Sequence, residues 1–365
     1  MLEAILLAAG YRVGKYLSPH LVRYNERVRI AGSEAGDEAL IAGFRAVEAA
    51  RANTQLTYFE FTTLAAWVSF SQANLDALIL EVGLGGRLDA VNIFDSDCSI
   101  LNSVAMDHMD YLGDTREKIG WEKAHIFRSS KPAICSEAAP PQSVLDYAEE
   151  ISADLRLVGR DFGFEASDRQ QWLFGSPLGK RSGLPYPSLR GGNQLFNASA
   201  CLAALEAMRE AFPVSAQDIR QGLLRAELPG RFQVLPGRPS VILDVGHNPH
   251  AAKVLADNLS NMGFYKNTFA VVGMLRDKDM RGVFEHLRDR IDHWYVATLD
   301  NPRGASANDV ARAIGEADAG ASVKLFDTPR AAYAAATGAA QQDDRILVFG
   351  SFYTVADIMQ ARGLT

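Results

Sequence analysis

Apolar residues in the second half of the chain recur in short continuous runs separated by longer amphipathic stretches. Five runs have the length of a buried strand: Val241–Val245, Phe269–Val272, Trp294–Ala297, Val323–Phe326 and Ile346–Phe349. Regular alternation of such strands with helical stretches is typical of a parallel sheet connected by crossover helices. The pattern therefore predicts an α/β domain over residues 237–365.

The first half has a less regular pattern built from the same kinds of element. Its main predicted strands and helices are Tyr11–Tyr16, Glu38–Arg51, Glu60–Ala73, Leu75–Val82, Cys98–Val104, Thr115–Phe127 and Asn193–Ala211. Residues 155–190 are poorly periodic and indicate short β pieces. Because Pro229 and Gly230 break the pattern, we expect a first α/β domain over 1–229 and a linker over 230–236.

Composition and charge narrow the class of protein. The chain has 365 residues with 48% hydrophobic and 22% charged positions, which is ordinary for a soluble globular protein. A formal net charge of -7 argues against nucleic-acid binding. No stretch of about 18 apolar residues predicts a membrane span, and the start lacks the basic leader of a signal peptide. Cys98, Cys135 and Cys201 lack metal or disulfide spacing, so we expect a cytoplasmic protein.

The segment from Glu81 to Asn92 is the most informative part of the sequence. Glu81 follows an apolar run, and a glycine turn then leads to Arg87 and Asp89. Ligands of open α/β sheets bind at the carboxyl ends of the strands. A carboxylate, bare backbone amides and an arginine suit a phosphate and its metal, whereas the alternative is a tight turn with solvated charges.

Further polar residues stand near predicted strand ends and on a helix of the first half. Ser18 and His108 come after predicted strands, and Lys123 lies within a helix. Ser18, His108 and Glu81 form a mixed oxygen and nitrogen set that suits magnesium or manganese better than zinc. Taken singly, each has an ordinary alternative: a turn serine, a hydrogen-bonded core histidine and a solvated lysine.

The second domain has its own candidate site after its first strand. Asn248 and Pro249 fit a helix N-cap followed by proline at the first helical position, so backbone amides would face an anion. Asp244 would hold ribose hydroxyls or a metal-bound nucleotide, and His247 would approach a phosphate. Ser351, after the last strand, has the same placement. The alternative is a well-capped junction without a ligand.

Several motifs recur in one order along the whole chain and are specific in combination. They are Leu17–Leu21, Thr57–Glu60, Glu81–Asn92, Asp107–His108, Glu122–Phe127, Leu228–Gln233, Asp244–Ala251 and Gly350–Phe352. In this combination the chain closely resembles the bacterial dihydrofolate synthase/folylpolyglutamate synthase family of the Mur ligase superfamily. The resemblance implies an N-terminal ATPase domain with a P-loop-type parallel sheet, and a C-terminal Rossmann-like glutamate ligase domain.

The same resemblance implies a reaction and its participants. ATP phosphorylates a substrate carboxylate, and the amine of L-glutamate then attacks the acyl phosphate. Dihydropteroate and reduced folates are the implied acceptors, with two Mg²⁺ ions as the implied metals. A monomer without nucleic-acid or membrane partners is also implied.

Residue roles follow from the matched motifs. The implied metal ligands are Ser18, Glu81, His108 and a carbamylated Lys123. The implied ATP-binding residues are Asn197, Arg231, Asp244 and His247, of which Arg231 and His247, with Lys123, are expected to act in catalysis. The implied substrate-binding residues are Phe59, Glu60, Phe61, Thr62, Leu88, Asp89 and Ala90 for the pterin and Ser351 for glutamate.

One departure from the family pattern concerns the phosphate loop. The family carries a Gly-Lys-Gly-Ser/Thr loop before the first helix, and the 365 residues contain no such motif. That loop cradles the phosphates and supplies a lysine to the transferred group. We therefore expect this chain to bind ATP weakly and turn over slowly or not at all, and we expect the sequence to be truncated at its start.

Two other functions are compatible with the residues. One is a different Mur-type amide ligase, although Thr57–Glu60 and Arg87–Asp89 favour folate. The other is a non-catalytic folate-binding homologue. The pterin segment also reads Phe59-Glu60-Phe61-Thr62 where the family has Phe-Glu-Tyr-Gly, which leaves the details of pterin binding open.

Overall fold

The computed structural model describes residues 1–168 and 170–364, which divide into two compact units. One unit comprises Met1–Ser188 and Gln194–Ala226, and the other comprises Leu189–Asn193 and Glu227–Thr365. Each unit has its own hydrophobic core. The α/β class predicted from the sequence is confirmed.

The first unit alternates helices with short strands. Its helices are α1 (Leu2–Ala8), α2 (Asp37–Arg51), α3 (Tyr58–Ser71), α4 (Met109–Leu112), α5 (Arg116–Ala124), α6 (Gln142–Glu150), α7 (Asn193–Ala207) and α8 (Ala216–Arg225). Its strands are β1 (Val13–Tyr16), β2 (Val28–Ile30), β3 (Ser33–Glu34), β4 (Ala77–Leu80), β5 (Ser99–Leu101), β6 (Pro132–Cys135), β7 (Asp154–Leu157), β8 (Gly163–Ala166), β9 (Gln171–Ser176) and β10 (Gly179–Pro185).

These strands form three sheets in the first unit. One sheet has the order β3-β2-β1-β4, in which β1 and β4 are parallel, and another has the parallel order β5-β6-β7. The third is the antiparallel sheet β10-β9-β8, which confirms the short β pieces predicted between residues 155 and 190. The parallel pairing expected for this unit is present between β1 and β4 and within β5-β6-β7. No hydrogen-bonded pairing joins β4 to β5 within the described residues.

Local sequence signals explain where the helices of this unit begin and how closely they pack. A capping box starts α3, where the Thr57 hydroxyl accepts from the Glu60 amide and the Glu60 carboxylate accepts from the Thr57 amide. Gly222 of α8 lies against Ile5 of α1, where a Cβ would come within 2.4 Å of the Ile5 Cα. The two helices therefore require glycine at this crossing, beside a core that contains Trp172, Phe174 and Leu202.

The second unit has the strand–helix alternation that the sequence predicts. Its elements are β11 (Gln233–Leu235), β12 (Ser240–Asp244), α9 (Pro249–Asn261), β13 (Thr268–Val272), α10 (Met280–Leu287), β14 (His293–Ala297), α11 (Ala307–Ala317), β15 (Val323–Phe326), α12 (Pro329–Ala339), β16 (Arg345–Phe349) and α13 (Phe352–Ala361). The sheet order is β11-β12-β16-β13-β14-β15. All neighbouring pairs are parallel except β11 with β12.

Residues 230–236, which the sequence predicts to be a linker, contain a short strand. Gln233–Leu235 form β11, which pairs antiparallel with β12 at the edge of the second sheet, and Val245 donates its backbone N–H to Gly230. The sequence pattern does not predict this strand, because three residues after a Pro-Gly turn are too few to show periodicity. Among the described residues no helix is long and apolar enough to span a bilayer.

Candidate active site

Two parallel strands of the first unit bring Ser18 and Glu81 together. Tyr16 of β1 is in register with Leu80 of β4, and the Glu81 amide donates to the Tyr16 carbonyl at 3.0 Å. Beyond this point the Ser18 amide donates to the Glu81 carboxylate at 3.2 Å. The shared carboxyl edge of the two strands therefore places a hydroxyl residue beside a carboxylate, in the manner typical of α/β ligand sites.

The glycine turn after Glu81 contacts several parts of the unit at once. A Cβ on Gly83 would come within 2.6 Å of the Phe59 ring, at the start of α3. Gly85 has a φ of +70° and lies against Leu112 of α4. The missing side chains thus allow the turn to lie directly against the predicted pterin segment and against the helix that follows His108.

The third glycine of the turn lies against the end of α5. A Cβ on Gly86 would come within 2.6 Å of the Glu122 carbonyl oxygen and 3.0 Å of the Lys123 carbonyl oxygen. The next residue, Arg87, donates its amide to that Glu122 carbonyl at 3.0 Å and its guanidinium to the Glu122 carboxylate at 2.9 Å. The turn that follows Glu81 therefore packs at Gly86 against the backbone of Glu122 and Lys123.

Lys123 and His108 share a neighbour in Asp107. Burial lowers the pKa of Lys123, and the Asp107 carboxylate opposes this by attracting the ammonium. Asp107 also accepts from the His108 amide at 2.8 Å and lies 3.9 Å from the His108 Nε2. His108 is the N-cap residue of α4, has a left-handed φ of 51°, and leaves nearly half of its side chain exposed.

The predicted pterin residues of α3 face different directions. The Phe59 ring lies against the glycine turn and 6.0 Å from the Tyr16 ring, whereas Phe61 stacks on Phe44. Thr62 is buried, and its hydroxyl lies 3.2 Å from that of Tyr16. Glu60 closes the helix cap, and its hydrogen bond from the Thr57 amide lowers its pKa.

The predicted substrate residues after the turn have distinct environments. Leu88 is 80% exposed, which is unusual for a leucine and leaves it available for an apolar contact. Asp89 accepts backbone N–H groups from Leu84 and Val91, and burial raises its pKa. Ala90 begins a 3₁₀ helix capped by Asp89. Asp89 therefore shapes the turn, whatever else it contacts.

In the second unit the predicted site residues converge on one edge of the sheet. Asp244 ends β12, and its two carboxylate oxygens accept from the Gly246 amide at 2.7 Å and the Phe232 amide at 2.8 Å. Burial raises the pKa of Asp244, and these hydrogen bonds and Arg231 oppose that shift. Asn248 caps α9 by accepting from the Ala251 amide at 2.9 Å.

The neighbouring strand β16 ends at a second helix start on the same edge. Ser351 caps α13, and its hydroxyl lies 2.8 Å from the Thr354 hydroxyl, which donates to the Gly273 carbonyl after β13. A Cβ on Gly350, at φ +104°, would come within 2.8 Å of that carbonyl. The ends of β12, β16 and β13 are thus side by side, with two helix N-termini suited to an anion.

Phe352 contacts two predicted site residues, although it is not itself among the site residues predicted from the sequence. The guanidinium of Arg231 lies over its ring at 5.4 Å, and the ring of His247 lies 6.3 Å from it. The His247 Nδ1 is 2.9 Å from the Val245 carbonyl. The position of Phe352 directly after the predicted Ser351 is the sequence signal that could have identified it.

Asn197, also predicted to contact ATP, belongs to the first unit, where its side chain donates to Gln194 on α7.

The residues predicted to bind a metal in the first unit can be compared with the donor types that divalent metals prefer. Within the described part of the chain, no three His, Cys, Asp or Glu side chains are close enough to hold a metal by themselves. The predicted set differs in containing the Ser18 hydroxyl and the Lys123 amine beside Glu81 and His108. Oxygen donors with one imidazole suit Mg²⁺ or Mn²⁺ when a ligand supplies the remaining oxygens.

Comparison with known families gives consistent matches. Residues 230–352 match the family described as Mur ligase, glutamate ligase domain. The dihydrofolate synthase/folylpolyglutamate synthase of Escherichia coli K12 is 46% identical over 98% of this chain and 82% of its own length. The protein of the same name from Haemophilus influenzae is 41% identical over 98% of this chain and 84% of its own.

Solved structures agree in fold over the whole chain. The Escherichia coli FolC structure in complex with DHPP and ADP has a TM-score of 0.94 and 45% identity, covering 100% of this chain and 84% of that one. A bifunctional folylpolyglutamate synthase/dihydrofolate synthase with Mn, AMPPNP and L-glutamate bound has a TM-score of 0.92 and 46% identity, covering 99% of this chain and 85% of that one.

Proposed function

The chain belongs to the dihydrofolate synthase/folylpolyglutamate synthase family of ATP-dependent ligases. We propose which of its residues take part in each step of the reaction. The enzyme joins L-glutamate to dihydropteroate, which gives dihydrofolate, and to the γ-carboxylate of reduced folates. The observation that carries this function is the 46% identity over 98% of the chain to a relative of that name. The geometry at the strand ends supports it.

The reaction proceeds in two steps, formation of an acyl phosphate and its aminolysis by glutamate. A carboxylate oxygen of the acceptor attacks the γ-phosphorus of ATP, ADP leaves, and an acyl phosphate forms. The amine of L-glutamate then attacks the acyl carbon, loses a proton, and inorganic phosphate leaves with the original carboxylate oxygen. Negative charge gathers on the phosphoryl group in both steps, so preorganised positive charge is the main catalytic requirement.

In the first unit, we assign metal binding to Ser18, Glu81, His108 and Lys123. A bound Mg²⁺ would neutralise charge on the nucleotide phosphates and on the activated carboxylate. The glycine turn supports this assignment because it fixes Glu81 relative to the end of α5 and so sets the position of Lys123. The exposed Leu88 and the Phe59 ring beside the turn support the pterin assignment for this corner.

In the second unit, we assign Arg231 and His247 to the phosphoryl group and Asp244 to the nucleotide. The ring of Phe352 lies against both Arg231 and His247, so it can position the two side chains together. Ser351 holds the start of α13, whose amide groups suit a carboxylate of the incoming glutamate. Asn197 is assigned to the nucleotide from within the first unit.

We propose that Lys123 is carbamylated. A neutral amine reacts with CO₂, and burial, which lowers the Lys123 pKa, increases the neutral fraction. Incubation with ¹³C-bicarbonate should give one carbamate carbon resonance that is absent in Lys123→Arg, whereas Lys118→Arg, an exposed lysine on the same helix, should retain it. Persistence of the resonance in Lys123→Arg would place the modification elsewhere.

The acceptor is tested by a direct comparison of substrates. Stoichiometric enzyme is incubated with MgATP, labelled L-glutamate and one of three acceptors: dihydropteroate, tetrahydrofolate or a UDP-linked muramyl peptide precursor. Label should enter the two folate acceptors alone. Label in the UDP-linked compound would instead support another Mur-type ligase. Tight dihydropteroate binding without any ATP-dependent product would favour a non-catalytic folate-binding protein.

We further propose that the chain acts as a monomer in the cytoplasm. The widely spaced cysteines support a reducing compartment, and burial raises the pKa of the Cys98 thiol to about 12 and of the Cys135 thiol to about 11. Light scattering coupled to size exclusion should give one species near 39.7 kDa. A stable dimer at micromolar concentration would contradict the monomer.

A further inference from the structure

Arg27 is a buried arginine without an acidic partner among the described residues. It is 7% exposed and lies in the 3₁₀ helix Tyr24–Arg27, directly before β2. Two other arginines of this segment have carboxylates: Arg23 lies 3.9 Å from Asp37, and Arg29 lies 3.3 Å from Glu3. A guanidinium is always charged, so burying one without a counter-ion is unfavourable unless another group compensates.

The nearest carboxylate along the chain is already occupied. Glu26 accepts the backbone N–H groups of Leu21, Val22 and Arg23, each at 2.7 Å. It therefore holds the loop after Ser18 in place and is not within ion-pair distance of Arg27.

Aromatic rings and one imidazole surround the guanidinium. Its carbon lies 5.9 Å from the centre of the Tyr24 ring and 5.6 Å from the centre of the Tyr58 ring. Its Nε donates to the His20 Nδ1 at 2.8 Å. Ring faces attract a cation without using its N–H groups, so the two terminal nitrogens keep their paired geometry for a planar oxyanion.

The location of Arg27 links it to both substrate-binding segments of this unit. Its carbonyl accepts from the Leu17 amide at 2.9 Å, and its side chain holds His20, so it fixes both sides of Ser18. Tyr58 is the first residue of α3, immediately before Phe59, and is 61% exposed. The guanidinium therefore lies beneath an exposed ring, next to the segments assigned to metal and pterin.

From this arrangement we infer that Arg27 binds a carboxylate of the folate substrate. The inference rests on the proposed function and adds a binding residue to it. A carboxylate accepts two parallel N–H bonds from the terminal nitrogens and supplies the missing counter-charge. Dihydropteroate offers its benzoate carboxylate, and reduced folates offer those of their glutamyl tail. Both have the same chemistry at this site.

The test compares ligands with and without a carboxylate. Dissociation constants are measured by tryptophan fluorescence for dihydropteroate, tetrahydrofolate and 6-hydroxymethyl-dihydropterin, which has no carboxylate. Arg27→Gln should weaken binding of the carboxylate ligands by roughly 10- to 100-fold and leave the hydroxymethyl pterin unchanged. Weakening for dihydropteroate assigns the benzoate carboxylate, and weakening for tetrahydrofolate alone assigns the glutamyl tail.

Control variants separate binding from folding. Arg23→Gln removes a nearby exposed arginine and should bind all three ligands like the wild type. Arg27→Lys keeps the charge without the paired N–H groups and should show an intermediate loss. If Arg27→Gln does not fold, the binding of the same three ligands is compared between Arg27→Lys and the wild type.

The opposing outcomes are distinct from a failure of the proposed function. Equal weakening for the hydroxymethyl pterin, or no weakening for any ligand, would overturn the inference and leave Arg27 a structural residue. If the wild type binds none of the three, the folate assignment itself fails, and the carboxylate site fails with it.

Discussion

Single glycines determine the geometry of the first unit's site. Gly86→Ala would place a Cβ 2.6 Å from the Glu122 carbonyl and 3.0 Å from the Lys123 carbonyl, both of which are backbone atoms that cannot rotate away. We expect a loss of about 1–3 kcal/mol in the free energy of unfolding and weaker dihydropteroate binding, because the turn must move away from α5. Urea titration and ligand fluorescence measure the two effects.

The matched control for this variant is Gly163→Ala. Gly163 begins β8 in the same unit, and a Cβ there meets no atom within 4 Å. Its free energy of unfolding should change by about 0.5 kcal/mol or less, with unchanged ligand binding. Equal effects of the two substitutions would show that the close approach at Gly86 does not matter.

The Phe352 ring lies beside the side chains of two predicted site residues in the second unit. Phe352→Ala removes the ring against which Arg231 and His247 lie, so we expect the glutamylation rate to fall by roughly 10- to 100-fold through misplacement of both. Tyr353→Ala changes the next residue, whose ring is 57% exposed, and should keep the wild-type rate. A wild-type glutamylation rate in Phe352→Ala would show that the ring does not position Arg231 and His247.

At the scale of elements, Glu3 links helix α1 to strands β1 and β2. Its carboxylate pairs with Lys15 and lies 3.3 Å from the Arg29 Nε, and its side chain is 12% exposed. Glu3→Gln leaves two largely buried cations facing each other and should cost about 3–5 kcal/mol in chemical denaturation. Lys15→Met leaves the Arg29 pair intact and should cost about 1 kcal/mol or less. Similar losses of stability in Glu3→Gln and Lys15→Met would contradict the idea that Glu3 neutralises both Lys15 and Arg29.

The contribution of Lys15 to the free energy of unfolding should change with pH in a definite direction. Burial lowers the pKa of Lys15 below its ordinary value of 10.5, so the folded chain binds fewer protons than the unfolded chain between the two values. The cost of the buried ammonium is fully present at neutral pH and is relieved as pH rises through this window. The stability of the wild type relative to Lys15→Met should therefore increase towards pH 10.5, as urea titrations at several pH values would show.

The sequence predicted elements well where their periodicity was long or their caps were strong. The strand ends that carry Glu81, Asp244 and Ser351 could be located because the strands before them are continuous apolar runs in the sequence. The strand Gln233–Leu235 could not, because three residues after a Pro-Gly turn carry no periodic signal. The contacts of Phe352 and Arg27 depend on tertiary neighbours that no local pattern reveals.

At the scale of the molecule, the second unit has a core of its own. Trp294, Phe284 and Phe349 are fully buried around its six-stranded sheet. A domain with its own core can fold alone, so a fragment over 227–365 should unfold cooperatively in urea and give dispersed amide resonances. A fragment without a cooperative transition would show that the second unit depends on the rest of the chain.

The central claim is that the chain activates a folate carboxylate as an acyl phosphate. The most direct measurement uses dihydropteroate with ¹⁸O in its carboxylate, stoichiometric enzyme, MgATP and L-glutamate in a single extended turnover. We expect slow formation of dihydrofolate, with one ¹⁸O atom transferred to inorganic phosphate. Unlabelled phosphate, or phosphate release without any glutamylated product, would contradict it.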